Sequence, residues 1–471
     1  MPQPANRIFA ALTVLVLSPL ALITGCSSGG SGSTSPVTPP ASSTAVLINM
    51  GDTPSDSVLE CAVTISAMSF TNSAGTTVTV PISSPMTMEL AHLAGTVAPL
   101  TMPSIAQGTY NSMSITLSSA TVSYMAASST TPVQQVFTSP MTVSVPLTTP
   151  LTVGSNAMVM NLDLNLAASV GAASGGGLTF TPTFMPTVNS ASGATTATPE
   201  QGGMMQIVGS VSTTSGSTFT MGTLQGGSMS FTSGSGTSFM GMNGQSLTGM
   251  GMMSSSQILS VNATLQTNGT WSANSVTAMM GSGGTMPIGI ITAASGTGIT
   301  MFANNGTGSG MMASYLAGGI SATLGNGMTY GIDDAGITGM PSSMLFDASH
   351  IGKGQNVAIA GSGGMSAGGS MMGGGTGMGS MTATGIELEP QGLTGTVSNM
   401  TSSGFTLNLA TGSAFNLLTG TTTMTVSQIA STQMNGLTLT NGQAIQVYGY
   451  MFYNAGAYTF VATQMTAAPT A

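Results

Sequence analysis

Apolar and polar residues alternate along most of this chain with a period of two. Met113, Ile115 and Leu117 are interleaved with Ser112, Ser114, Thr116 and Ser118. That is the pattern of a strand with one face buried and the other covered in hydroxyls. Val78, Val80 and Ile82, then Val143 and Val145, then Met158, Met160, Leu162, Leu164 and Leu166 continue in the same style. No long window carries a helical period, and Gly, Thr and Ser are poor helix-interior residues. The alternation predicts a chain that is nearly all β from Ala45 onward.

Two stretches interrupt it. Residues 26–44 are almost entirely Ser, Gly, Thr, Pro and Ala, which bury no core and predict a flexible spacer. Residues 187–203 are of similar composition and predict a linker. Between them, 45–186 form one domain, expected as a two-sheet β-sandwich. Beyond the linker the sequence repeats itself. Ile207-Val208-Gly209-Ser210-Val211 precedes Phe219-Thr220-Met221, Ile288-Gly289-Ile290-Ile291 precedes Ile299-Thr300-Met301, and Leu393-Thr394-Gly395-Thr396-Val397 precedes Phe405-Thr406-Leu407. Later, Gly354-Gln355-Asn356-Val357-Ala358-Ile359-Ala360-Gly361 parallels Gly442-Gln443-Ala444-Ile445-Gln446-Val447-Tyr448-Gly449. A period of roughly 80 to 105 residues is the size of a small barrel rather than a solenoid repeat. Three small barrels in tandem are expected over 204–283, 284–390 and 391–471, because closure hides the strand edges.

Two family resemblances rest on these pieces. Asp52-Thr53-Pro54-Ser55-Asp56, Leu90-Ala91-His92-Leu93-Ala94-Gly95, Gly108-Thr109-Tyr110 and Leu162-Asp163-Leu164 make the first domain resemble domain of unknown function 4382, found in bacterial and archaeal lipoproteins. The three repeats resemble domain of unknown function 5666, which is similar to small OB-like barrels. Neither resemblance implies a reaction.

The first 26 residues are of a different kind. Arg7 is followed by an apolar run from Ile8 to Leu22, and then by Ile23-Thr24-Gly25-Cys26. The run is shorter than the roughly 20 residues of a membrane span, and its charged head and small-residue exit are those of a secretion signal. The end resembles the lipobox of bacterial lipoproteins, which implies cleavage after residue 25, a diacylated Cys26 and an extracytoplasmic, lipid-anchored protein. Ser27 is compatible with onward export to an outer membrane where one exists.

Charge then narrows the function. Only 3% of residues are charged, with 2 basic against 11 acidic; an ordinary soluble domain has about 25% charged residues. Loss of Arg7 leaves Lys353 as the one basic residue, which excludes nucleic acid as a partner. Few titrating groups also predict a stability that varies little with pH. With Cys26 lipidated, Cys61 has no disulfide partner and reads as a buried strand thiol between Leu59 and Val63.

Candidate chemistry is sparse. Asp347, Ser349 and His350 carry the residue types of a catalytic triad, but such close spacing favours a turn. His92 has no second histidine near it. Asp333 and Asp334 are adjacent, so as strand neighbours they face opposite ways, and Glu387 with Glu389 share a face expected to be solvated. Asp52 and Asp56 bracket a Pro-containing turn, where capping of backbone amides is the favoured role and a calcium site the alternative. Met365, Met371, Met372, Met378 and Met381 lie in the Gly-rich loop 361–384, and Met240, Met242, Met250, Met252 and Met253 lie in similar company. Clustered thioethers suit Cu(I), oxidant trapping or an adaptable partner surface, against an unconstrained loop with no role. Trp271 and Tyr458 occupy like positions in their repeats. Either could stack a sugar, with core packing the favoured reading. The expectation is a non-enzymatic envelope module for binding, adhesion or scaffolding. Its membrane contact is through lipid, its partner an envelope protein or a polysaccharide, and no cofactor is required. The alternatives are Cu(I) handling or oxidant buffering through the Met/Gly loops, and a carbohydrate-binding module.

Overall fold

The computed structural model describes residues 42–468, apart from 54–56, 83–84, 94–96, 127–131, 174–176, 224–227, 242–244, 253–256, 283–286, 305–319, 333–336, 338, 363–378 and 435. Within these the chain is all-β, as the period-two pattern requires. Its two α-helices are short, Leu166–Ser169 (α1) and Ala414–Thr419 (α2). No helix among the described residues is long and apolar enough to cross a membrane.

The first module has two main sheets. Its strands are β1 (Ser43–Thr53), β2 (Val58–Asn72), β3 (Thr77–Val80), β4 (Met86–Glu89), β5 (Val97–Thr101), β6 (Ser104–Ala106), β7 (Gly108–Met125), β8 (Pro132–Phe137), β9 (Met141–Val153), β10 (Met158–Asn165), β11 (Val170–Ala173), β12 (Gly177–Phe180) and β13 (Phe184–Ser190). One sheet runs β13-β10-β1-β5 with β6 also on β1; the other runs β3-β2-β7-β8 with β4 on β2 and β9 on β7, while β11 and β12 form a separate pair. Val46, Ile48 and Met50 of the first sheet share a core with Cys61, Val63, Ile65, Met113, Ile115 and Leu117 of the second. The outer face of the second sheet carries cross-strand hydroxyl pairs, Thr64 with Thr87 at 2.9 Å and Thr116 with Thr142 at 3.1 Å. Hydroxyls thus supply the polar surface that charge supplies elsewhere.

Three closed barrels follow. The first is built from β14 (Gly203–Ser215), β15 (Thr218–Thr223), β16 (Ser228–Thr232), β18 (Gln257–Leu265) and β19 (Trp271–Ser282), with β17 (Ser238–Met240) added on β19. The second is β20 (Ile288–Ser295), β21 (Gly298–Asn304), β22 (Ile320–Ile332), β23 (Asn356–Ser362) and β24 (Gly379–Leu388). The third is β25 (Gln391–Ser398), β26 (Gly404–Leu409), β27 (Thr423–Gln433), β28 (Ala444–Asn454) and β29 (Ala457–Ala467). In each, strands one, two and three pair in order, the third runs parallel to the fifth, and the fourth closes the ring between fifth and first. The sequence repeats fall on equivalent strands: Ile207, Ile288 and Leu393 on the first, Phe219, Ile299 and Phe405 on the second.

The repeated glycines have a geometric cause. Gly361 and Gly449 both lie on the fourth strand where its register with the fifth shifts by a bulge. A Cβ on Gly361 would stand 2.4 Å from the Thr382 oxygen, and one on Gly449 would stand 2.0 Å from the Val461 oxygen. Backbone approaches this close admit only glycine.

The modules pack on one another. Leu47, Ala157, Val159 and Ala191 join the core of the first barrel. Much of the stretch expected as a linker, 187–203, is therefore structured. It holds the end of β13, a 3-10 turn at Pro199–Gln201 and the start of β14, because the outward apolar residues of β1 and β10 need cover. Ile258 and Met279 of the first barrel meet Ala358 of the second. Tyr450, Phe452 and Val461 of the third complete the core around Ile291, Val357 and Leu388 of the second. Finally, Ala414 and Leu418 of α2 pack with Leu59 and Met125 of the first module. The contacts close on themselves, and the chain from Ser42 onward forms one compact unit.

Candidate functional site

The densest group of ionisable side chains lies at one end of the first module. Asp52 continues the core-facing series Val46, Ile48, Met50 on β1 and is 4% exposed. Among the described residues neither of its carboxyl oxygens has a hydrogen-bond partner. Glu89 at the end of β4 accepts the backbone N–H of Cys61 at 2.9 Å and that of Ala91 at 3.0 Å. The buried Glu60 accepts the Ser123 hydroxyl at 2.6 Å. Asp163 on β10 stands in register with Gly51. Burial, then Asp163 and Glu89, push the Asp52 carboxyl well above the usual carboxylate range. Burial, with Glu89, Asp52 and Glu60, pushes the Cys61 thiol up in the same way, so it is not a nucleophile.

Asp52 was expected to cap a turn. The turn it would cap, 54–56, lies outside the described residues, and among the described ones its carboxyl accepts no hydrogen bond. Its proposed calcium partner Asp56 lies outside the described residues. Among the described residues, no three His, Cys, Asp or Glu stand close enough to hold a metal. The sequence reading missed Glu89 and Asp163 as neighbours of Asp52. Asp163 was signalled by its place in the Leu162-Asp163-Leu164 strand, but only the sheet order brings Glu89 beside Asp52.

The triad-like residues form a turn. Asp347 Oδ1 accepts the Ser349 hydroxyl at 2.7 Å and its N–H at 2.8 Å, and lies 2.7 Å from His350 Nδ1. Ser349 Oγ meets that same ring nitrogen at 3.2 Å. A proton relay needs serine and aspartate on opposite nitrogens; here both crowd one. The Ser349 hydroxyl and then His350 hold the Asp347 carboxyl down at about 2.

Trp271 is 4% exposed at the seam of the first barrel, its ring 6.3 Å from Phe231, which stacks on Phe219 at 5.2 Å. A sugar-stacking role needs an open face, and Trp271 offers none. Tyr458 sits at the matching start of β29. Its ring meets Phe415 edge-on at 5.2 Å and Tyr453 at 5.0 Å, and its hydroxyl donates to the Lys353 carbonyl at 2.9 Å. Burial, then Tyr453, push it up to about 12. It is a joint between barrels.

Of the methionine candidates, Met365, Met371, Met372 and Met378 lie outside the described residues, as do Met242 and Met253. Met381 is 9% exposed in β24 and belongs to the core of the second barrel, so its thioether is not part of a loop cluster. Met250 is 7% exposed in the first barrel core. Asp333, Asp334 and Cys26 also lie outside the described residues. Glu389, expected to be solvated, is 5% exposed, because the third barrel begins immediately after it and covers that end.

The joint between the second and third barrels is polar and buried. Gln355, 0% exposed, accepts the Gly352 N–H at 2.6 Å and donates to the Met451 carbonyl at 3.0 Å. Gln391 accepts the Asn356 N–H at 2.7 Å and donates to the Gly354 carbonyl at 3.0 Å, while the Asn356 amide donates to the Pro390 carbonyl at 2.9 Å. These amides align backbone from both barrels.

The fold defines a multi-module all-β protein, a two-sheet domain leading three closed five-strand barrels. Residues 43–182 match the family model of a domain of unknown function (DUF4382). No curated protein matches the chain, and no solved structure does.

Proposed function

We propose that this is a lipid-anchored, extracytoplasmic scaffold or binding module without enzymatic activity. The observation that carries the reading is the segment Leu22-Ile23-Thr24-Gly25-Cys26 after a short apolar run, followed at once by a charge-free spacer. A tether of that kind suits a body whose domains are fastened to each other rather than articulated. The near-absence of basic residues directs it to neutral partners, an envelope protein or a polysaccharide, with hydroxyl-covered sheet faces as the contact surface. The resemblance of the barrels to domain of unknown function 5666 belongs to the same proposal; their shared strand order supports their being repeats of one unit.

The test is to express the full chain and its Cys26→Ser variant in a bacterium, then follow both through membrane fractionation and detergent-phase partition. The wild-type chain should enter the detergent phase with a diacylated peptide beginning at Cys26, and the variant should not. A wild-type chain recovered in the aqueous phase with residues 1–26 intact would overturn the reading.

A further inference from the structure

Asp52 is buried, and among the described residues no basic side chain stands beside it as a counter-charge. Its surroundings carry one sign only: Asp163 on β10 and Glu89 on β4, with the Cys61 thiol on β2. The two basic residues of the whole sequence are Arg7 and Lys353, and Lys353 is exposed in the second barrel. An ionised Asp52 would stand in a core of Met50, Cys61, Leu90 and Leu164 with neither oxygen hydrogen-bonded. Burying a bare carboxylate among apolar groups and like charges is costly enough that the group stays neutral or the structure opens.

We propose that this end of the first module is a proton-operated latch, closed around a neutral Asp52 and loosened when that carboxyl ionises. On opening, the proton passes to solvent and water reaches the carboxylate between β1 and β2. The folded form holds the proton more tightly than the unfolded chain, because burial and then Asp163 and Glu89 raise its affinity. The latch therefore contributes its full stability below the ordinary value of 3.8 and loses it as pH rises through the raised folded value. Across that window the unfolding or opening constant grows roughly tenfold per pH unit.

The test compares wild-type protein with Asp52→Asn by amide hydrogen exchange over 43–53 and 58–63, corrected for intrinsic rates, between pH 4 and pH 9. Wild-type protection should fall steeply with pH, while the variant's should stay flat and exceed wild type at the alkaline end. Should Asp52→Asn fail to fold, Asp163→Asn serves: removing one like charge should bring the wild-type loss to its plateau at a lower pH. Equal pH profiles for wild type and Asp52→Asn would overturn the latch.

Discussion

The side-chain amide of Gln355 donates to the carbonyl of Met451 at 3.0 Å, fastening the second barrel to the third across 96 residues of sequence. The same side chain accepts the Gly352 N–H, so one buried amide serves two backbone groups from different modules. Gln355→Ala should leave both without partners in the interior. At about 1–3 kcal/mol for each of the two stranded groups, a loss of roughly 2–6 kcal/mol is expected in urea unfolding. Gln355→Glu should be worse at pH 7 than at pH 4, where the acid can still donate. A loss within about 0.5 kcal/mol for the alanine variant would show that water replaces the joint.

Gly449 and Gly361 make a sharper test of why the repeats look alike. A Cβ at Gly449 meets the Val461 oxygen at 2.0 Å, and a strand backbone cannot retreat without breaking the barrel. Gly449→Ala should cost at least about 3 kcal/mol, the range reserved for named steric mechanisms. Gly154→Ala, with nothing within 4 Å, should be near neutral. Similar urea midpoints for the two variants would mean that the bulge adapts.

The strands were legible because a half-buried strand writes its burial directly into the sequence: Met113, Ile115 and Leu117 are core and their neighbours are not. The repeat units were legible for a related reason, since Gly361 and Gly449 answer the same close approach. The packing of modules was not. Leu47 and Val159 look like ordinary strand residues, and only the paired sheet shows that their side needs a barrel to cover it. Trp271 and Tyr458 show the same gap in the site. Their shared position was readable, but burial depends on what stands opposite. Glu89 and Asp163 are far from Asp52 in sequence and come near it through strand order, which alternation alone does not encode.

Asp347 should respond to pH with the sign opposite to Asp52. Its carboxyl is held down at about 2 by the Ser349 hydroxyl and His350, so the turn's contribution is present above the ordinary carboxylate value and lost as pH falls through about 2. The group is half exposed, so the effect on global stability is small and a site-resolved measurement is needed. A carboxyl carbon NMR titration should place Asp347 near 2 in the wild-type chain. In Ser349→Ala it should move up toward the ordinary range. No movement would assign the depression to His350 and the Ser349 backbone N–H rather than to the hydroxyl.

The contact between α2 and the first module decides whether the body is closed or merely strung together. Leu418, 9% exposed, shares a cluster with Leu59 and Met125, more than 280 residues upstream. An aspartate there would be desolvated against apolar neighbours in a chain with almost no bases to pair it. Leu418→Asp should therefore part the two surfaces, at a cost of about 3 kcal/mol or more if the body stays closed. Leu418→Ala should cost about 2–3 kcal/mol and keep them together. Amide exchange separates the outcomes. In Leu418→Asp, protection should fall over 58–60 and 121–125 while the third-barrel core around Met451 and Phe460 keeps its own. Unchanged protection over 58–60 would mean that α2 rests on the first module without helping to hold it.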